Sequence, residues 1–299
     1  MDPSQVAIQV LLLGVLPGAV GAMAMTAAWW RVRPGDDARH GPRWLLPLLL
    51  MLAVIWAECI VQQRLPRLWP GVGQATDRVP HAAVLLGIAG VALCIVRAPL
   101  HVRLVTMLIV TPCAFWLIFG ALHQVGSWTF TQLATRLGVM SIITLGYAAL
   151  FDRNHARAQS LEIGAALFLT AHGAAVVILQ AAVAHHAQLA GGVTAILGSC
   201  LVVAVLRRSF TPQGGIITAI ALLTLLVSIG HFFSHSGIGL VQLIVLGVTP
   251  ATACLAWLPP VARLNRWKRA AIVAAAGTLT SGTSIGLALA AAAANEYPY

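Results

Sequence analysis

Three kinds of residue in this sequence could do chemistry: histidines, charges inside apolar runs, and prolines inside apolar runs. His231 and His235 are four apart, so on a helix both rings share one face. Such a pair suits a divalent metal, and one imidazole suits haem iron. His123 sits at the corresponding end of another run and is the third candidate ligand. Six of the ten histidines, namely His81, His123, His185, His186, His231 and His235, fall at or near the same ends of their runs. His40, His101 and His155 lie at the opposite ends, and His172 lies near the middle of a run. An isolated HxxxH is not specific, because histidine is ordinary at a membrane interface. A proton relay is the other use that imidazole suits near neutral pH.

Charges within membrane spans are rare and usually functional. Glu58 and Arg136 lie at similar depth, about one turn inside the same face, and carry opposite signs. They read as a structural ion pair, with Arg136 alternatively snorkelling to the headgroups, or as a substrate or proton site. Glu162, close to Arg157, reads as a solvated helix end. Pro112 and Pro250 each follow Val-Thr within an apolar run. A mid-helix proline removes a backbone hydrogen bond. Paired interruptions in two halves of a membrane protein point to a transport site, whereas ordinary kinks need no such pairing. The candidate pathway residues are therefore Glu58, Pro112, Arg136, His172 and Pro250.

The elements that must position these residues follow from composition. Of 299 residues 59% are hydrophobic and 9% charged, and mean hydropathy is +0.88. A soluble domain is about 25% charged. This excludes a soluble enzyme, a disordered chain and a nucleic-acid-binding domain, although the net charge is +10. About ten apolar runs have the length of a spanning helix, roughly 5–29, 44–63, 81–96, 104–122, 133–151, 158–184, 189–206, 214–233, 237–258 and 270–293. The third is short and is expected to extend past Pro80 or Arg97. The ninth is expected to stop at Pro259-Pro260. The fold class is therefore all-α, a multi-pass membrane domain over 1–299 with no soluble domain. Ten helices permit a five-plus-five inverted repeat, with halves 1–151 and 158–299. At the level of architecture this is similar to ten-helix carriers with crossed, broken fourth and ninth helices, such as the bile-acid and auxin carrier folds. Only the two prolines carry that likeness.

The loops are too short for a folded nucleotide-binding domain, and no P-loop, GxGxxG before a helix, or HExxH occurs. The five cysteines all lie in apolar runs and read as small buried residues. The first run has no Lys or Arg before Arg31, so it reads as a retained helix rather than a secretory signal. Counting Lys and Arg by alternate loops gives 14 on one side, including Arg31 to Arg43 and Arg263 to Arg269. The other side has 3: Arg64, Arg67 and Arg78. The positive-inside rule puts the basic set in the cytoplasm and both termini outside. Trp29, Trp30, Trp44, Trp69, Trp128 and Trp267 mark helix ends. In the last run Gly282 and Gly286 form a GxxxG that suits close helix packing.

The leading functional expectation is a secondary transporter of a small solute or ion, set in a bacterial inner membrane. The alternatives are a membrane-anchor subunit of a redox complex holding haem, quinone or metal near the outer histidines, a structural or assembly subunit, and a membrane-embedded enzyme. No cofactor is named by the sequence. The expected partners are the lipid bilayer and further subunits or a second copy, with no nucleic acid.

Overall fold

The structure is a computed structural model that describes residues 8, 11–30, 42–63, 75–153, 160–181, 184–207, 210–233 and 238–296. Every regular element among the described residues is helical. That is the expected outcome for chains of Leu, Ile, Val and Ala in lipid, where no water is present to satisfy backbone groups and each segment must bond to itself.

The ten runs become ten helical segments. The first, Leu11–Trp29, opens with a π-helical turn over Leu11–Val15 and continues as α1, Leu16–Trp29. Then follow α2 (Leu45–Gln62), α3 (Val79–Ile95), α4 (Leu100–Gln124), α5 (Phe130–Arg153), α6 (Ser160–Gln180), α7 (Ala184–Leu206) and α8 (Ile216–Phe233). The ninth span is α9 (Leu240–Val248) continued by a 3-10 helix, Thr249–Trp257. A short helical turn, Pro259–Ala262, leads to α10 (Arg266–Glu296). Among the described residues nine of these segments are long and apolar enough to cross a bilayer, and α3 is the shorter tenth with 17 residues.

The ends of α3 have local causes. It extends past Pro80 by one residue, to Val79, and a 3-10 turn Ala75–Arg78 precedes it. Pro80 sits in the first turn, where a missing N–H breaks no intrahelical bond. At the other end the Ala98 N–H donates to the Leu93 carbonyl at 3.0 Å and the Arg97 N–H to Cys94 at 3.2 Å. This wrap puts Arg97 at φ 54°, a position usually given to glycine, at a cost of about 1 kcal/mol.

The chain forms two compact units. One contains residues 1–42, 154–212 and 226–299, and the other contains 43–153 and 213–225. The second unit is a succession of neighbours in which α2 packs on α3, α3 on α4, and α4 on α5. Its close approaches use small residues: Gly87 lies against Met51, and Gly90 against Pro47 and Thr218.

The first unit is built around α6, which packs against α7, α9, the 3-10 helix and α10. Within a bilayer apolar side chains gain nothing by leaving lipid, so helices associate through small residues and interhelical hydrogen bonds. That is the pattern here. Gly164 faces the backbone of Leu201, and Gly18 and Gly21 of α1 face Ala195 and Ser199 of α7. The Ser199 hydroxyl donates to the Gly18 carbonyl at 2.6 Å. Trp29 is the last residue of α1, at a helix end as expected, and it is buried edge-on to Phe210, with ring centroids 5.4 Å apart. Its neighbour Trp30 takes the exposed position.

Candidate functional site

Among the described residues, the longest departure from α-helix inside a membrane span lies in the first unit. Runs of 3-10 helix beyond three or four residues are uncommon, and in mid-helix they often mark a hinge. This one is nine residues long. Its origin is Pro250, which has no N–H to return to the carbonyl of Leu246. The Thr249 N–H takes that carbonyl instead, one residue early, and so sets the tighter pattern. Two threonine hydroxyls complete the repair. Thr252 donates to the Thr249 carbonyl at 2.7 Å, and Thr249 to Val245 at 3.4 Å.

The interrupted span is held tightly by its neighbours. A methyl group at Gly173 of α6 would collide with Ser281 of α10 and touch Leu246 of α9 at 3.0 Å. One at Gly277 of α10 would meet Leu169 at 2.8 Å and the Thr252 hydroxyl at 3.4 Å. The Ser284 hydroxyl donates to the Gln242 carbonyl at 3.1 Å, tying α10 to α9. The packing stripe of α10 therefore runs through Gly277, Ser281 and Ser284. The expected GxxxG contact is corrected: Gly282 and Gly286 have open space where a side chain would stand. Around the helix Gly282 lies about 100° and Gly286 about 140° from Ser281.

At the start of α6 and α10 the same unit buries a charge pair. Arg269 Nε donates to Glu162 Oε1 at 3.0 Å, with side-chain exposures of 13% and 0%. This corrects the expectation of a solvated Glu162. The carboxylate is the third residue of α6 and the guanidinium the fourth of α10, so both sit in first turns that pack together. A second guanidinium nitrogen of Arg269 donates to the Ala262 carbonyl at 3.3 Å, in the helical turn that follows the 3-10 segment. Arg266 donates to the carbonyls of Ala204 and Val205, both at 3.3 Å, and so caps the C-terminal end of α7. The first turn of α10 thus ties together α6, α7 and the exit of the interrupted span. Glu162 Oε2, by contrast, is buried with no hydrogen-bond partner among the described residues. Such an oxygen can accept a proton, an ammonium group or a metal cation. Sequence reasoning missed this site because Glu162 and Arg269 are far apart in the chain. The available signal was that both fall in the first turn of helices entering from the same side.

The other sequence candidates are distributed as follows. Pro250 is buried at the head of the 3-10 segment. Pro112 lies inside α4, which remains α-helical through it, although the neighbouring Thr111 hydroxyl is buried without a partner among the described residues. The matching Val-Thr-Pro sequences therefore have different local structures. Glu58 is buried on α2. The Arg136 guanidinium lies over the Trp128 ring, 4.1 Å from its centroid, and Phe119 stacks on the same indole at 6.0 Å. His123 joins this α4–α5 hairpin, with Nδ1 3.0 Å from the Trp128 carbonyl. Arg136, His123 and Trp128 thus form one cluster that closes the hairpin. His172 is exposed and stacks on Phe168, with centroids 6.2 Å apart. His231 Nδ1 is 2.6 Å from the Ile238 carbonyl, and His235 lies outside the described residues. The described residues contain no group of three metal-ligating side chains. His186 of α7 was not singled out from sequence. It is 3% exposed, and neither ring nitrogen has a hydrogen-bond partner among the described residues.

In comparisons with known proteins, no family model, no curated protein and no solved structure matches this chain.

Proposed function

We propose that this multi-pass membrane protein is a secondary transporter of a small solute or ion, with its site in the first unit. The observation that carries the reading is the α-to-3-10 transition at Pro250, packed on α6 and α10, the helices whose first turns share the buried Glu162–Arg269 pair. A span whose backbone pattern changes midway can rearrange at lower cost than a continuous α-helix. A buried carboxylate oxygen without a donor provides a place for a cationic group or a proton to bind. The basic loops support an orientation with Arg-rich loops in the cytoplasm and both termini outside, and the host bilayer in this reading is a bacterial inner membrane. Further subunits or a second copy are compatible with this role.

The test is counterflow in proteoliposomes with a panel of labelled amino acids, organic acids, sugars and inorganic cations. The parent protein should exchange at least one class. Pro250→Ala should fold and lose exchange, and Glu162→Gln should reduce it or change its dependence on a proton gradient. Absence of exchange for every class, or undiminished exchange by both variants, overturns the reading.

One observation favours a second reading, a membrane-anchor subunit of a redox complex. His186 is a buried imidazole whose two ring nitrogens have no hydrogen-bond partner among the described residues, so either nitrogen is open to haem iron or a metal ion. A Soret band or stoichiometric metal in purified protein, lost in His186→Ala, supports it. Colourless, metal-free protein from cells grown with haem and metals removes it.

A further inference from the structure

We infer that the groove between α1 and α7 is a binding site for an anionic phospholipid, with an acyl chain along the groove and the phosphate on Arg207. The two helices are close at Gly18 and Gly21, where α1 meets Ala195 and Ser199. Beyond that contact they leave a groove of about 590 Å³, lined by Ala22, Met23, Thr26 and Trp30 of the α1 side and by Val202 and Leu206 of α7. The spacing accounts for it. Residues 22, 26 and 30 lie four apart on one helical face, and 202 and 206 do so on the other. The short side chain of Ala22 leaves room, and Met23, Trp30, Val202 and Leu206 form an exposed apolar rim. The volume is within the range of small-ligand sites, roughly 300–1,000 Å³.

The groove ends at a charge. The Arg207 guanidinium carbon lies over the exposed Trp30 ring, 3.8 Å from its centroid. A guanidinium held against an aromatic face in a cation–π contact keeps N–H groups that can hold a phosphate. Among the described residues the Arg207 side chain makes no hydrogen bond or ion pair. It is not needed to cap α7, because Arg266 takes the carbonyls of Ala204 and Val205 and the Arg207 backbone N–H takes that of Val203. In sequence Arg208 follows directly, and the segment after Trp30 carries Arg31, Arg33, Arg39 and Arg43 against Asp36 and Asp37. The sequence adjoining Trp30 and Arg207 is therefore net basic, and basic pockets between membrane helices bind anionic lipid headgroups. An indole at this level favours the boundary between chain and headgroup. An apolar groove open to acyl chains and ended by a guanidinium held over an aromatic ring is complementary to one molecule that carries both an acyl chain and a phosphate. The inference does not depend on the transport reading.

The test uses the purified full-length chain, delipidated in neutral detergent. Phosphatidylglycerol, phosphatidylcholine with the same acyl chains, or inorganic phosphate is added, and lipid adducts are counted by native mass spectrometry alongside thermal melting. Phosphatidylglycerol should remain bound as a discrete adduct and raise Tm, phosphatidylcholine should bind more weakly, and inorganic phosphate should have no effect. Arg207→Gln should weaken phosphatidylglycerol binding about five- to tenfold, the effect of one phosphate-facing arginine near a bilayer. Met23→Trp should block the groove and reduce both lipid adducts while Arg207 remains. Since Arg207→Gln leaves the packed face of α7 intact, it remains informative if Met23→Trp fails to fold. Equal retention of the two lipids, an undiminished adduct in Arg207→Gln, or a Tm shift reproduced by inorganic phosphate alone overturns the inference.

Discussion

The Glu162–Arg269 pair illustrates how little a single residue's chain position says about its surroundings. Each lies in a first helical turn, where water would be expected, yet the carboxylate is fully covered. Removing one member of a buried pair leaves an uncompensated charge and typically costs about 3–5 kcal/mol. Arg269→Met should therefore destabilise the protein strongly. Adding Glu162→Gln should recover most of the loss, since the residual amide carries no charge. Thermal or denaturant unfolding of the two single variants and the double variant measures this, and a double variant as unstable as Arg269→Met contradicts it. Glu58 and Arg136 invite the same experiment. Both belong to the second unit, one is buried and the other lies on Trp128. We expect a coupling of about 1 kcal/mol or more between Glu58→Gln and Arg136→Met, whereas additivity within about 0.3–0.5 kcal/mol would make the two charges independent.

At the scale of elements, the two prolines separate. Pro112 is accommodated within a 25-residue α-helix, and Pro250 starts a 3-10 segment that α6 and α10 hold in place. Alanine should therefore act differently at the two sites. Pro112→Ala restores one ordinary backbone bond in an otherwise regular helix and should be neutral or stabilising by about 1 kcal/mol. Pro250→Ala offers the Leu246 carbonyl an α-type donor and should convert the 3-10 turns towards α-helix. Amide hydrogen exchange across Thr249–Trp257 should slow in that variant, while the same measurement over α4 changes only near Pro112. Equal, purely local effects at both sites would reduce Pro250 to an ordinary kink. The threonines contribute to this difference, because the Thr249 and Thr252 hydroxyls satisfy the carbonyls of Val245 in α9 and Thr249 in the segment, while the Thr111 hydroxyl has no partner among the described residues.

At the scale of the molecule, the testable property is orientation. The asymmetry of 14 basic residues against 3 comes from loops and the adjoining helix ends, so it can be checked without knowledge of function. In a cysteine-free background, cysteines introduced in 31–43 and 263–269 should react with a membrane-impermeant reagent only from the cytoplasm. Cysteines near either terminus should react only from outside. Labelling of a terminus from the cytoplasmic side alone would change the number of crossings, and with it the even count on which a pair of five-helix halves depends. The compact units do not follow those halves in the chain, since 1–42 groups with 154–212 and 226–299.

The amino-acid sequence by itself determined the fold class and the approximate position of every span. The physical reason is local. A run of about 20 apolar residues in lipid has no partner for its backbone except itself, so composition and length lead directly to helix. Turn chemistry was legible for the same reason, as with Pro80 in a first turn. Tertiary structure decided which face of each helix is covered. Spans that are apolar all round carry little record of it, and several such helices have no marked polar side. Neighbouring helices, and not local pattern, therefore buried Glu162 against Arg269, put Trp29 rather than Trp30 inside, and turned α10 to pack through Ser281 while Gly282 was left open. The α1–α7 groove was equally unreadable, because it depends on where two helices stop touching. Pro250 lay between these cases: the sequence marked a possible break, but only packing on α6 and α10 decided that it became nine residues of 3-10 helix while Pro112 stayed within an α-helix.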